Sequence, residues 1–308
     1  MVVDKKYFPG FVRKAITFTN DDGNLEMDEK FISILKPYGI KGTFNICGIK
    51  EGHTPEEYRT LYKGYGIANH CYLHPHAMDD SISYKISDSS SGATDEKECC
   101  IYPYAAYDGV YKLSDRPDEW RLIAGSEKYI ELIGVARKMI NEIFGEGFCS
   151  SFVWPFCEQN NKEVKDYLKR SFRSVRKTGC TFDNDGFSLP QDRYAWSYNA
   201  THQNLLEIAS IFEKYEDDGE LKFFSFGLHS IDYERNEKWA DLESFAKRYG
   251  NRPEDFYYAS VDEIFDYEDA INSLVIEESS VLNNSDITVY IKIDGEPVIL
   301  KPHSLYRI

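Results

Sequence analysis

The chain lacks three things. It has no apolar run long enough to cross a bilayer, no two cysteines at CxxC spacing, and fewer basic residues than acidic ones. The first absence means that no spanning helix is expected, since such a helix needs about 20 largely apolar residues in a row. The seven cysteines are odd in number and include the adjacent pair Cys99 and Cys100, so neither a disulfide framework nor a thiolate metal site is indicated. Lys and Arg number 36 against 52 Asp and Glu, a formal net charge of -16. A surface of that sign does not favour phosphate, and nucleic acid is not an expected partner. The opening segment, Met1 to Lys14, carries basic residues but no apolar core of signal-peptide length. The expected location of the sequence as it stands is the cytoplasm, with reduced thiols; a removed leader would place it outside the cell instead.

Apolar and aromatic side chains are abundant. Hydrophobic residues make up 42% and aromatics 15% of 308 residues, with 23 Tyr and 19 Phe. That suffices for one sizeable core and is far from the profile of a disordered chain. Lys14 to Thr19 reads as a strand, Phe31, Ile34, Leu35 and Tyr38 have helical spacing within Asp28 to Tyr38, and Lys41 to Cys47 reads as a second strand. Thr54, Pro55 and Glu57 form a capping box that opens a helix to about Lys63, and Tyr65 to Asn69 is a third strand. Repeated βαβ of this kind implies a parallel sheet.

From about residue 76 to 120 the periodicity dissolves into Ser, Asp, Gly and Tyr, which reads as a long insertion. Helices are then expected at about Ser126–Phe144, Asn160–Phe172, Asn204–Tyr215 and Glu237–Tyr249, and strands at about Phe148–Trp154, Arg173–Arg176, Leu221–Leu228 and Phe256–Ala259. The fold class is α/β, and about seven strand-helix units fit a distorted (β/α) barrel more easily than an open sheet. In the tail, Ile287, Val289, Ile291 and Ile293 alternate with polar residues, and Asp294-Gly295 is a hairpin turn before Pro297 to Leu300. The expected organisation is a barrel over residues 1–274, with its insertion at about 76–120, and a small β-hairpin appendage over 275–308 that braces it.

Three segments place polar, metal-competent side chains just after a predicted strand, and in a barrel of parallel strands those ends converge on one face. The first is Thr17 to Gly23, with adjacent Asp21 and Asp22. An ordinary Asp-rich turn closed by Gly23 explains it; so does a pair of carboxylates with separate tasks, one on a metal and one as a base. The second is Asn69 to Pro75, in which His70 and His74 have HxxxH spacing but Pro75 biases His74 away from helix, giving a loop that turns both rings inward. With Asp22 they make two imidazoles and one carboxylate, a set that leaves a fourth tetrahedral position on zinc open for water. The third is Phe226 to Ser230, where a buried strand ends in His229, either a strand cap or a proton donor to a leaving group.

Read together, these segments resemble the motifs of the NodB-homology polysaccharide deacetylases, carbohydrate esterase family 4, in the family's order. Thr17 to Gly23 is similar to the family's TFDDG, with Asn20 in place of Phe; His70 to Pro75 resembles its HSxxH or HTxxH followed by Pro, with Cys71 in place of the hydroxyl residue; Leu228-His229 is similar to its last motif. Phe152 to Phe156 sits where the family has an Arg-Pro-Pro-Tyr type segment, with Val153 at the Arg. The resemblance implies Asp22, His70 and His74 as ligands of Zn2+ or another divalent transition metal, Asp21 as general base and His229 as general acid. It also implies a substrate wall of Trp154, Pro155, Phe156 and Leu228, with the Phe156 N–H at the oxyanion, and Arg176 or Arg193 as replacement for the absent Arg. Trp196 belongs either to that wall or to the core. The implied activity is metal-dependent removal of acetyl groups from an N- or O-acetylated saccharide. Two other readings stay open: a C–N hydrolase of a small non-sugar amide on the same barrel, and a non-catalytic carbohydrate-binding protein. Against the latter stands Asp21, because a pure metal site has no use for a second carboxylate.

Overall fold

The longest barrel strand shows how the sequence builds the fold. In the computed structural model, which describes residues 1–87, 97–101, 109–116, 119–177 and 187–307, Lys14–Asp21 forms strand β1, buried along residues 15–21. Successive side chains of a strand point to opposite faces, and here both faces are covered. Phe18 meets Phe31 of helix α1 (Leu25–Leu35) edge-on at 5.1 Å, and Asn20, on the same face, also turns toward α1. Thr19 and Asp21 point the other way, where Asn45 bonds to both.

Beside β1 in parallel pairing lie β2 (Thr43–Ile46), β3 (Gly66–Asn69), β4 (Ser151–Val153) and β5 (Ser174–Arg176), in that order. On its other side is β6 (Lys222–Leu228), and β7 (Phe256–Tyr258) pairs with the first half of β1. These seven strands form the curled parallel sheet of a distorted barrel, as the strand count predicts. Between β5 and β6 the curl is spanned by single bridges, Trp196 to Arg176 and Ala200 to Phe226. The remaining helices are α2 (Pro55–Leu61), α3 (Ser126–Phe144), α4 (Lys162–Ser171), α5 (Leu205–Lys214), α6 (Ser230–Arg235), α7 (Trp239–Tyr249) and α8 (Val261–Asn272). Helix α2 opens on the expected capping box, with Thr54 and Glu57 exchanging backbone and side-chain bonds.

The segment read as a patternless insertion holds strands Tyr84–Ser87, Lys97–Ile101, Val110–Arg116 and Glu119–Ala124, which with His76–Ala77 make a five-stranded mixed sheet. Its strands are two to seven residues long, too short and too polar for a period-2 signal to stand out. In the tail, Val289–Ile293 and Glu296–Leu300 form the hairpin around Asp294 and Gly295, with Val3–Asp4 as a third strand. Val275–Glu277, Ser280–Asn283 and Ser304–Arg307 form a second small sheet. Val289 and Ile291 share a buried cluster with Phe8, Val12, Ala15, Phe223 and Phe265, so the hairpin packs on the end of the barrel where β1 and β6 begin. Among the described residues no helix is long and apolar enough to cross a membrane.

Candidate active site

At the opposite end of the sheet the pairing sets Asp21 level with Asn45, Ile46 with Asn69, and Leu228 with Asn20. The chains leaving these strand ends carry the side chains of interest. After β1 both Asp22 (φ 75) and Gly23 (φ 62) take left-handed conformations, a turn that separates two neighbouring carboxylates: Asp21 is buried, whereas the Asp22 side chain is about one third exposed. After β3, Cys71, Leu73 and His74 are left-handed as well (φ 53, 68 and 49), and the Asn69 side chain holds the loop by accepting from the Cys71 N–H and donating to the Ile133 carbonyl.

This loop brings the Nε2 atoms of His70 and His74 to 3.1 Å of each other and each to 3.5 Å of Asp22 Oδ1. Ligand atoms at tetrahedral positions around zinc, with bonds of about 2.1 Å, stand roughly 3.4 Å apart. The triangle fits such an ion. His70 Nδ1 lies 2.9 Å from the Val153 carbonyl, which only accepts, so the ring proton sits on Nδ1 and the Nε2 lone pair faces Asp22. Asp22 Oδ1 is buried without a hydrogen-bond partner among the described residues. A carboxylate oxygen without a hydrogen-bond partner beside two imidazole nitrogens is an environment that a divalent cation satisfies. Burial keeps the His70 imidazole below its ordinary pKa, against the pull of Asp21 and Asp22, and burial with the neighbouring His70 lowers His74 to about 4. Both rings are therefore neutral and able to ligate.

Asp21 is held differently. Burial would raise its pKa, but the Arg176 guanidinium, with the charge of His229 beyond it, keeps the carboxyl well below the usual range. A single nitrogen, Arg176 Nη2, lies 2.6 Å from both carboxylate oxygens, and Asn45 Nδ2 donates to Oδ1 at 2.6 Å. The guanidinium is itself buried and lies 5.2 Å from the centre of the Tyr198 ring. Arg193, the other candidate, does not reach Asp21. It sits on the outer side of the sheet, over the Phe265 ring and paired with Glu268 and Asp269 of α8.

His229 places Nε2 3.7 Å from Asp22 Oδ2 and Nδ1 2.9 Å from Asp232. Burial would lower its pKa, but the bond to Asp232 and the charges of Asp21 and Asp22 raise it to about 9. The imidazole is thus protonated at neutral pH, with Nδ1–H donating to Asp232 and Nε2–H facing the site. Asp232 was not singled out from sequence; a His-x-x-Asp spacing where a strand passes into a helix is the signal that marks it. No sequence pattern marks Asn45 or Glu158. Glu158 accepts from Ala77 N at 3.2 Å and bonds His76 Nδ1 at 2.7 Å, and the His76 ring stacks on Phe156 at 3.7 Å.

Phe156 (φ 53) stands at the rim, 42% exposed and edge-on to His74 at 4.5 Å, with Pro155 buried behind it. Trp154 is not the open wall that was expected. It is 1% exposed and packs on Phe152 and Tyr129, so it supports the site from within the core. Trp196 is core as well, against Phe223 and Phe265. Leu228 continues the β6 backbone opposite Asn20, and its side chain lies outside what the structure describes.

Residues 10–175 match the family described as polysaccharide deacetylase. No curated protein sequence matches the chain. Among solved structures, the fold is similar to that of a candidate polysaccharide deacetylase from Mycobacterium smegmatis, with a TM-score of 0.54 and 14% identity over 88% of this chain and 96% of that one. Similarity extends to the peptidoglycan deacetylase PdaC from Bacillus subtilis (TM-score 0.46, 14% identity, 83% of this chain and 92% of that one). A CE4 esterase from Streptococcus mutans is also similar (TM-score 0.46, 13% identity, 80% and 86%). The matched stretch is just over half of the chain and contains both the Asp21-Asp22 turn and the His70–His74 loop: the chain belongs to the NodB-homology polysaccharide deacetylase family.

Proposed function

We propose that the chain removes acetyl groups from an N- or O-acetylated saccharide with a divalent transition metal, zinc in the first instance, held by Asp22, His70 and His74. The observation that carries this reading is a ligand triangle of 3.1 to 3.5 Å flanked on one side by a separately paired carboxylate and on the other by an imidazole held by Asp232. A binding module needs neither flanking group.

The bound ion supplies polarisation of the acyl carbonyl and a lowered pKa for water. The rest is done by side chains. Asp21, kept ionised by Arg176 and oriented by Asn45, accepts the proton of the attacking water. By its resemblance to the family's Tyr position, the Phe156 backbone N–H would serve the developing oxyanion. His229, with Nδ1 engaged by Asp232, gives its Nε2 proton to the departing nitrogen or oxygen as the bond to the acetyl carbon breaks. Arg176, reaching in from β5, takes the part that the family gives to the Arg aligned with Val153. The barrel over residues 1–274 carries this chemistry, and residues 275–308 brace its far end through the shared cluster around Ile291 and Phe265.

Elemental analysis is expected to return one divalent ion per chain. Acetate release from chitin, peptidoglycan or xylan fragments is expected to stop on chelation and to return with Zn2+. Full activity in chelator, or no bound transition metal after reconstitution, ends the metal assignment; acetate from small amides and from no saccharide overturns the substrate class. His229→Ala is expected to lower kcat by about a hundredfold or more at unchanged metal content. An unaltered rate would leave His229 as a structural group.

A further inference from the structure

We propose that Asp28 is a positioning residue, one buried carboxyl that clasps the turn carrying Asp21 and Asp22 to the helix start that carries His229. The inference rests on the deacetylase reading and adds a residue that the family motifs do not contain. Asp28 lies in the first turn of α1 and is fully buried. The cap of that helix is Asn24, whose side chain accepts from Met27 N, so Asp28 is not needed as a cap. All its side-chain bonds are tertiary. Oδ1 accepts from Asn20 Nδ2 at 2.7 Å and from the Ser230 hydroxyl at 2.5 Å, and Oδ2 accepts from the Tyr62 hydroxyl at 2.6 Å.

The positions of these donors give the contact its meaning. Asn20 directly precedes Asp21, and Ser230 directly follows His229. The bond from Asn20 to Asp28 closes the loop that holds both carboxylates, including Asp22 in its left-handed conformation. Ser230, bonding to the same oxygen, fixes the first residue of α6 against that closed loop, and Tyr62 anchors the clasp from the end of α2. Acid, base and metal ligand must keep their mutual geometry to within a fraction of an ångström, and a 1 Å error is felt as roughly 10²-fold in rate. Asn20 also replaces the Phe of the resembling motif. A buried amide there needs a partner, and Asp28 is that partner. Burial pushes the Asp28 carboxyl up to about 6 in spite of its three donors, so the fold tolerates an unfavourable group at this point.

The test uses the full-length, metal-loaded protein. Asp28→Asn keeps the shape, can accept at Oδ1 and can donate to Tyr62; Asp28→Leu removes the clasp. Asp28→Leu is expected to lower kcat by about 10- to 100-fold, with KM within a few-fold and metal content unchanged, and Asp28→Asn to restore most of the rate. Hydrogen exchange of segments 20–25 and 229–232 is expected to quicken in Asp28→Leu and not in Asp28→Asn. If Asp28→Leu does not fold, Ser230→Ala and Asn20→Leu carry the same expectations individually, each with a smaller loss. The proposal is overturned if Asp28→Leu lowers thermal stability alone, or if Asp28→Asn behaves like Asp28→Leu. Should the wild type release no acetate from any substrate, the deacetylase reading fails, and the exchange measurement still decides whether Asp28 holds the two segments together.

Discussion

Asp21→Asn is expected to keep its metal and its fold and to lose about 10²–10⁴ in turnover, the usual range for removal of a general base, whereas Asp22→Ala is expected to lose metal and activity together. An ordinary acidic turn would treat these neighbours alike. The geometry does not. Asp22 Oδ1 is the atom that faces both imidazoles, and on the proposed reading its removal takes away one of three protein ligands. Asp21 is spoken for by Arg176 and Asn45, and its nearest approach to His70 Nε2 is 3.9 Å. The amide of Asn keeps the shape at Asp21 but cannot take a proton. Metal content and acetate release, measured on both variants, decide the matter: equal loss of metal would show that the roles within the pair are wrongly divided, and unchanged catalysis in both would move the site elsewhere.

Arg176→Met is expected to destabilise the protein by about 3–5 kcal/mol, because it strands a buried carboxylate, which is on the order of 10 °C in Tm for a chain of this size. The pH dependence follows from the sign of the shift. In the wild type the Asp21 pKa is depressed, so its contribution to stability is present above the ordinary carboxylate pKa and is lost as pH falls through the lower, folded value. Without Arg176, burial is no longer outweighed by a neighbouring charge and moves the folded pKa upward, so that ionised Asp21 weighs against folding as pH rises. The Tm gap between wild type and variant should therefore widen from about pH 4 to pH 7. A gap of constant size would mean that Arg176 contributes packing against Tyr198 rather than charge. Arg176→Lys should recover part of the loss, since only one guanidinium nitrogen reaches the carboxylate.

How much of this could be read from the residues depends on the distance over which each feature is encoded. The alternation of β1, α1, β2, α2 and β3 was legible because each element carries its own period and its own stop, such as Gly39 or the Thr54-Glu57 capping box. The short strands around Val110 and Glu119 gave no such signal. Helix α8 is not among the helices that the periodicity predicts, although Ser260 and Glu263 form a capping box at its start. That Asp22, His70, His74 and His229 lie together follows from a topological rule, the convergence of parallel strand ends. What holds each of them is not local. Arg176 meets Asp21 across 155 positions of sequence, and Ser230 meets Asp28 across 202. Trp154 differs for a related reason: an aromatic just past a strand end reads the same whether it points outward or, as here, packs inward against Phe152 and Tyr129.

Cys71, Leu73, His74 and Phe156 share a left-handed backbone although none is glycine, and an L-residue in that region costs roughly 1 kcal/mol. With Asp22 (φ 75) they make five such residues around one site, a concentration of several kcal/mol of strain where a chain optimised only for folding would place glycine. Stability engineering and catalysis therefore pull in opposite directions at these positions: the substitutions that would most readily relax the backbone lie on the two loops that hold the imidazoles and the rim in register, and a more thermostable variant built there would be a poorer enzyme.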